Sequence, residues 1–218
     1  MIYISFDIGV KNLAVCILKH DSNITIIDWD IIRLADTKKE LKLVDELSER
    51  LFMALDEMIG KLKSKSLDYI DMILIENQPS NLNGIMKTVQ YIIYTYFSLM
   101  KHWENTVGNV QFINASHKLK NHSYEPEEQI VTTSKKNTKG FTRDKYKWNK
   151  ATSIEICKKY IDNNDILTTY FNDNKKKDDL SDCCLQAISY IRSKSEKTQL
   201  NLLEKVQLDS TNFIECVN

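Results

Sequence analysis

The sequence predicts an α/β fold in which a mixed five-stranded sheet is flanked by helices. Three observations carry this. Three short apolar runs rich in β-branched residues open the chain, separated by turn residues. Two further runs of the same kind follow, each preceded by a long helical pattern. Two further helical patterns then follow in the second half. The resulting order, β-β-β-α-β-α-β-α-α, is an antiparallel meander continued by parallel strands reached through helical crossovers.

Ile2 to Phe6, Leu13 to Lys19 and Ile24 to Arg33 form the first three strands. Gly9 and Asn12 suit the first connection, and Asp21, Ser22 and Asn23 the second; both are hairpin signals. Thr37 and Glu40 have capping-box spacing. Leu41, Val44, Leu47, Leu51, Leu55, Met58 and Leu62 then recur at three- and four-residue steps, which makes one long amphipathic helix. A fourth strand from about Tyr69 to Ile75 delivers Glu76, and Pro79, Ser80 and Asn81 punctuate it. The next helix, from about Asn83 to Trp103, is apolar over more than one stripe: Ile85, Val89, Ile92, Ile93, Tyr96, Phe97, Leu99 and Met100. Such a helix is either central to the core or packs against a partner subunit. Val110 to Asn114 is the fifth strand. From His117 to Lys147 the text is polar and aperiodic, which predicts a mobile loop. Helices are expected from about Asn149 to Ile161, and from about Asp178 through Cys184, Leu185, Ile188 and Ile191. After Ser193 the pattern is weakly periodic.

A chain of 218 residues with 42% hydrophobic content can bury one good core, and five Gly and two Pro leave few hinges. The formal net charge is zero, but the charge is unevenly spread. Between Asp28 and Glu76 stand twelve acids against eight bases; between Lys135 and Lys150, seven bases against one acid, Asp144. A basic stripe on a neutral protein suits a polyanion held at one face. Phe141, Tyr146 and Trp148 are interleaved with it and can stack on opened bases. The five cysteines (Cys16, Cys157, Cys183, Cys184, Cys216) have no C-x-x-C spacing, so a zinc framework or disulfide scaffold is not expected and a reducing compartment is. Cys183 and Cys184 read as small core hydrophobes. No stretch approaches the roughly 20 apolar residues of a membrane span, and neither a signal peptide nor an Arg-rich presequence is expected. No pattern for a small-molecule cofactor is present.

Four acids carry the chemistry. Asp7 ends the first apolar run and Glu76 the fourth, while Asp179 and Asp182 stand a helical turn apart on a late helix. Carboxylates at two strand ends and on one helix face can converge on a point and hold divalent metal. Two Mg²⁺ ions about 4 Å apart activate a water and neutralise the leaving oxygen in phosphodiester hydrolysis. Hard oxygen ligands suit that ion, and a few carboxylates suffice because it keeps its waters. Asp178 competes with Asp179 as the ligand.

The words around these acids are Asp7-Ile8-Gly9-Val10-Lys11-Asn12, Ile75-Glu76-Asn77-Gln78 and Lys176-Lys177-Asp178-Asp179-Leu180-Ser181-Asp182. In type and order they resemble the RuvC-type Holliday junction resolvases of the RNase H-like superfamily, most closely the poxvirus and fungal mitochondrial branch. The resemblance covers residues 1–192 as an RNase H-like nuclease domain, with an expanded polar loop at about 117–147 and a tail at 193–218. It implies a homodimer that nicks opposing strands of a four-way or branched DNA in recombination and repair. It also implies two Mg²⁺ per site (Mn²⁺ substituting), with Asp7, Glu76, Asp179 and Asp182 as ligands; the acids three apart select Asp179 over Asp178, which becomes a cap. A lysine near the scissile phosphate is implied too, for which Lys150 is the candidate, with Lys147 and Lys145 behind it. Lys11, Asn12, Gln78, Lys135, Lys136, Lys139, Arg143, Lys145 and Lys147 are the expected DNA contacts.

Other nucleases on this fold, acting on RNA–DNA hybrids or in transposition, share the metal chemistry. A junction binder without catalysis and a protein–protein scaffold are the non-enzymatic alternatives. An actin-like or sugar-kinase fold also opens with Asp-x-Gly but needs a second glycine-rich loop. The expected location is a cytoplasmic viral replication site, with the mitochondrial matrix as the alternative.

Overall fold

The computed structural model describes residues 1–35, 40, 44–79, 84–114 and 138–215, with the side chains of 138–146 and 197–215 outside the description. Five strands form one mixed sheet: β1 (Ile2–Asp7), β2 (Leu13–His20), β3 (Ile24–Ile32), β4 (Ile70–Glu76) and β5 (Val107–Ile113). Their order is β3-β2-β1-β4-β5. β1 pairs with β2 and β2 with β3 antiparallel, while β1–β4 and β4–β5 are parallel. The parallel pairs require crossovers, and α1 (Val44–Ser64) and α2 (Gly84–Leu99) supply them. A π-helical turn, Met100–Glu104, extends α2 and ends at Asn105 in the left-handed region.

Alternation along the central strands builds a core on each face. Ile2, Ile4 and Phe6 of β1, with Ile73 and Ile75 of β4, meet Leu51 and Leu55 of α1 and Val89, Ile93 and Phe97 of α2. Tyr3, Cys16, Leu18, Trp29 and Leu74 point the other way, onto α3 (Thr138–Ile161), α4 (Asp165–Asp173) and α5 (Lys177–Glu215). With both faces covered, β1 and β2 are buried along most of their length, which explains their nearly continuous apolar text. Trp29 locks the second layer: its ring stacks on Phe171 at 5.1 Å, and its Nε1 donates to the Leu180 carbonyl at 2.9 Å. Cys16, Cys157, Cys183 and Cys184 are fully buried in this layer with free thiols. Burial pushes the thiols of Cys16 and Cys157 well above their ordinary range. No helix among the described residues is long and apolar enough to cross a membrane.

Several elements depart from expectation. α3 begins at Thr138, so residues 138–147 are helical rather than loop. Its first turns read Thr-Lys-Gly-Phe-Thr-Arg-Asp-Lys-Tyr-Lys and carry no apolar stripe to reveal a helix. α4 is not among the expected helices: it is only nine residues long, and its one local signal is Asn164, whose Oδ1 caps Leu167 N at 3.1 Å. α5 runs unbroken through residues 193–215. β5 starts three residues before Val110. Gly108 masks that start: a Cβ there would stand 2.6 Å from the Asp71 carbonyl oxygen, so the close approach to β4 excludes a side chain. Thr37, Leu41 and Asn83 lie outside the described residues.

Candidate active site

Asp7 and Glu76 end neighbouring parallel strands. Phe6 stands opposite Ile75 in the register, so the next residue on each strand is one of the two acids. Both follow Tyr3, Ser5 and Leu74 in pointing to the α5 face by strand alternation. This is where the strand order reverses, the chain running to β2 and β3 on one side of β1 and to β4 and β5 on the other. Carboxyl ends of strands at such a point form the crevice in which open α/β sheets bind ligands. Both acids are half-buried.

The first turn of α5 brings Asp178 and Asp179 to the same place. The positive end of a helix favours carboxylates there. Lys150 of α3 makes a close ion pair and hydrogen bond with Asp178 Oδ2. Burial works against the Asp178 charge, but the Lys150 bond and charge outweigh it and hold that carboxyl below its ordinary value. Asp179 behaves oppositely. Burial first, and then the charge of Asp178 with a further push from Asp7, raise it above the ordinary range, against the pull of Lys176 and Lys150. Lys176 Nζ lies 3.8 Å from Asp179 Oδ2. Asp182 is half-buried one turn further on, where its charge reaches Cys157.

Glu76 is held by its own loop. Its Oε2 accepts from Gln78 Nε2 at 2.7 Å, and the Gln78 backbone N donates to Gln90 Oε1, also at 2.7 Å. Lys87 Nζ donates to the Gln78 carbonyl at 2.9 Å and to Asn77 Oδ1 at 3.1 Å. On the other side of the sheet, Gln186 Nε2 donates to Ser5 Oγ at 3.0 Å and to the Phe6 carbonyl at 3.1 Å.

The site therefore joins Asp7, Asp178, Asp179 and Lys150 electrostatically, with Glu76 on the adjoining strand end. The donor set is hard oxygen, the chemistry Mg²⁺ or Mn²⁺ takes. Among the described residues, however, no three carboxylate, imidazole or thiol groups are gathered into a set that holds an ion. Lysines and an amide engage three of the acids instead: Lys150 on Asp178, Lys176 near Asp179, Gln78 on Glu76. Lys11 is exposed and Asn12 half-buried in the turn directly after Asp7. Lys147 is exposed on α3, one turn before Lys150. Lys139, Arg143 and Lys145 fall on the first turns of α3, their side chains outside the description; Lys135 and Lys136 lie outside the described residues altogether. Sequence reasoning missed Lys87, Gln90, Lys176 and Gln186. The two glutamines left a signal: each is a lone polar residue within an apolar helical stretch.

No family model matches the chain. Over 137 residues, 61% of the chain, it is 32% identical to an uncharacterised protein of Acanthamoeba polyphaga mimivirus, and the match spans 31% of that relative's length. Among solved structures, the yeast mitochondrial Holliday junction resolvase superposes with a TM-score of 0.57 at 18% identity, covering 93% of this chain and 85% of that one. The fowlpox virus Holliday junction resolvase gives 0.52 at 19% identity, covering 88% and 99%. The fowlpox enzyme solved with substrate junction DNA gives 0.51 at 19% identity, covering 88% and 98%. The chain thus has the fold of the yeast mitochondrial and fowlpox virus Holliday junction resolvases.

Proposed function

We propose that the chain is a structure-specific endonuclease that resolves four-way DNA junctions by paired, symmetric nicks. The observation that carries this reading is the meeting of two strand-end carboxylates, Asp7 and Glu76, with the acidic first turn of α5 on a resolvase fold. Asp7, Glu76, Asp179 and Asp182 would hold two Mg²⁺ or Mn²⁺, which supply an activated water and neutralise the leaving oxygen. The raised Asp179 carboxyl supports a cation there, since carboxylates crowded together favour one. Lys150 and Lys176 balance that negative charge, and each would stand beside a phosphate held at these acids. Lys11, Lys147 and the basic first turns of α3 would grip the flanking backbone, a contact that weakens with salt.

A homodimer fits a two-fold substrate. Its surface would be the outer face of α2 and the π-helical turn, where Tyr91 is 51% exposed and Trp103 79% exposed. The viral relative and the fowlpox likeness support a viral replication site in the cytoplasm; the yeast likeness keeps the mitochondrial matrix as the alternative. One observation favours a second reading, a junction binder without catalysis: Gln78 engages Glu76, Lys176 stands near Asp179, and Lys150 pairs with the neighbouring Asp178.

Cleavage of a synthetic four-way junction with Mg²⁺, comparing wild type with Asp7→Asn, decides between them. The expected result is paired symmetric nicks from wild type, and bound but intact junction with the variant. Binding without cleavage by both proteins selects the binder. No binding by either overturns both readings and makes an RNA–DNA hybrid the next substrate.

A further inference from the structure

Two buried glutamines are tied to the strand ends that carry the acids, and each leaves one polar atom unused. Gln186 is 1% exposed and Gln90 0%. Gln186 Oε1 and Gln90 Nε2 are buried and have no hydrogen-bond partner among the described residues. Burying an amide is unfavourable, and leaving one of its atoms unpaired more so. A methionine or leucine would fill either place without an unpaired atom of its own, but would strand the buried Ser5 hydroxyl or the Gln78 backbone N–H. Packing alone therefore does not account for them.

Their partners do. Asp179, Asp182 and Gln186 follow one another at three and four residues on α5, so they share a face. Both hydrogen bonds of Gln186 go to β1, one of them to the carbonyl of Phe6, the residue immediately before Asp7. A carbonyl only accepts, which fixes the amide orientation with nitrogen inward. This side chain ties α5, which carries Asp179 and Asp182, to β1 beside Asp7. On the opposite face, Gln90 Oε1 accepts from the Gln78 backbone at 2.7 Å and from Lys87 at 3.4 Å. Two donors fix the oxygen toward the loop. Gln78 in turn holds Glu76.

We infer that Gln186 and Gln90 are positioning residues for the carboxylate site: one pins α5 to β1 beside Asp7, and the other pins the loop that orients Glu76. The inference rests on the metal-dependent reading proposed above. Replacing partners that orient ligands typically costs about 10–100-fold in metal affinity or activity.

The test uses the full chain with Gln186→Met, Gln90→Met and Gln90→Glu. Three quantities are read: the melting temperature without metal, the Mn²⁺ concentration giving half of the metal-induced thermal stabilisation, and the single-turnover cleavage of a four-way junction. Both Met variants are expected to melt below the wild-type temperature, since each strands a partner, the Ser5 hydroxyl for Gln186 and the Gln78 backbone N–H for Gln90. Their half-saturating Mn²⁺ rises about tenfold or more and their cleavage slows about 10–100-fold, while junction affinity stays within about twofold of wild type. Gln90→Glu, which keeps the acceptor oxygens and dispenses with the unpaired donor, restores the wild-type Mn²⁺ midpoint. Met variants with wild-type Mn²⁺ midpoints overturn the inference, whether or not they are less stable, because their effect is then packing alone. A wild type that neither cleaves nor is stabilised by Mn²⁺ brings down the metal reading itself, and the positioning role with it.

Discussion

The turn between β1 and β2 depends on a missing methyl group. A Cβ placed on Gly9 would lie 2.2 Å from the carbonyl oxygen of Asn12 and 3.0 Å from its carbonyl carbon. Both are backbone atoms, so no side chain can swing aside. Forcing extra atoms into filled space costs about 1–3 kcal/mol. For a chain of this size each kcal/mol moves the melting temperature by about 2–4 °C, so Gly9→Ala should melt about 2–12 °C below wild type. Gly60 is the internal control. It lies within α1 and a Cβ there meets nothing within 4 Å. Gly60→Ala should therefore gain about 0.5–1 kcal/mol, or about 1–4 °C. Thermal unfolding of the three proteins side by side is the assay. Gly9→Ala melting at or above Gly60→Ala would refute the reasoning. Because Asp7 stands two residues before Gly9, the same variant should also slow junction cleavage.

Two further outcomes follow from the acidic end of α5 and its anchor. Asp179→Asn should abolish cleavage yet raise the melting temperature in metal-free buffer near neutral pH, since it removes a half-buried charge beside Asp178 and Asp7. A group whose native value is raised destabilises the fold when ionised. The gain is therefore full above that raised value and gone below about 3.9, the unfolded value; a pH series of melting curves checks the direction, and a lower melting temperature at pH 7 contradicts it. Trp29→Phe should keep the stack on Phe171 while losing the bond to the Leu180 carbonyl. The cost should be about 0.5–1.5 kcal/mol by denaturant titration, and a variant as stable as wild type would mean that the indole nitrogen contributes nothing there.

What the sequence disclosed and what it hid divide along physical lines. The five strands and the two crossover helices were legible because each buries a periodic face: Leu47, Leu51, Leu55 and Leu62 on α1, alternating residues on β1 and β4. The early turns of α3 were hidden because they carry no apolar stripe, and α4 because it is short. The same split holds at the candidate site. Acids at strand ends stand out against apolar runs, so Asp7 and Glu76 could be named from text alone. That Lys150 would lie on Asp178 rather than beside Asp179 depends on how α3 crosses α5, which no local pattern encodes. Gln90 and Gln186 matter through partners 12 and 180 residues away. Only the folded chain brings those together.

The four thiols under α5 have a consequence for how this protein can be watched. Cys16 belongs to β2, Cys157 to α3, and Cys183 and Cys184 to the helix that carries Asp179 and Asp182. With all four sealed, and burial suppressing the acidity of Cys16, Cys157 and Cys183, an alkylating reagent meets them only when that helical layer lifts from the sheet. Their labelling rate is thus a built-in clock for detachment of the acidic helix. An alkylated thiol would then wedge the layer open, converting a passing fluctuation into lasting displacement of Asp179 and Asp182 from the sheet.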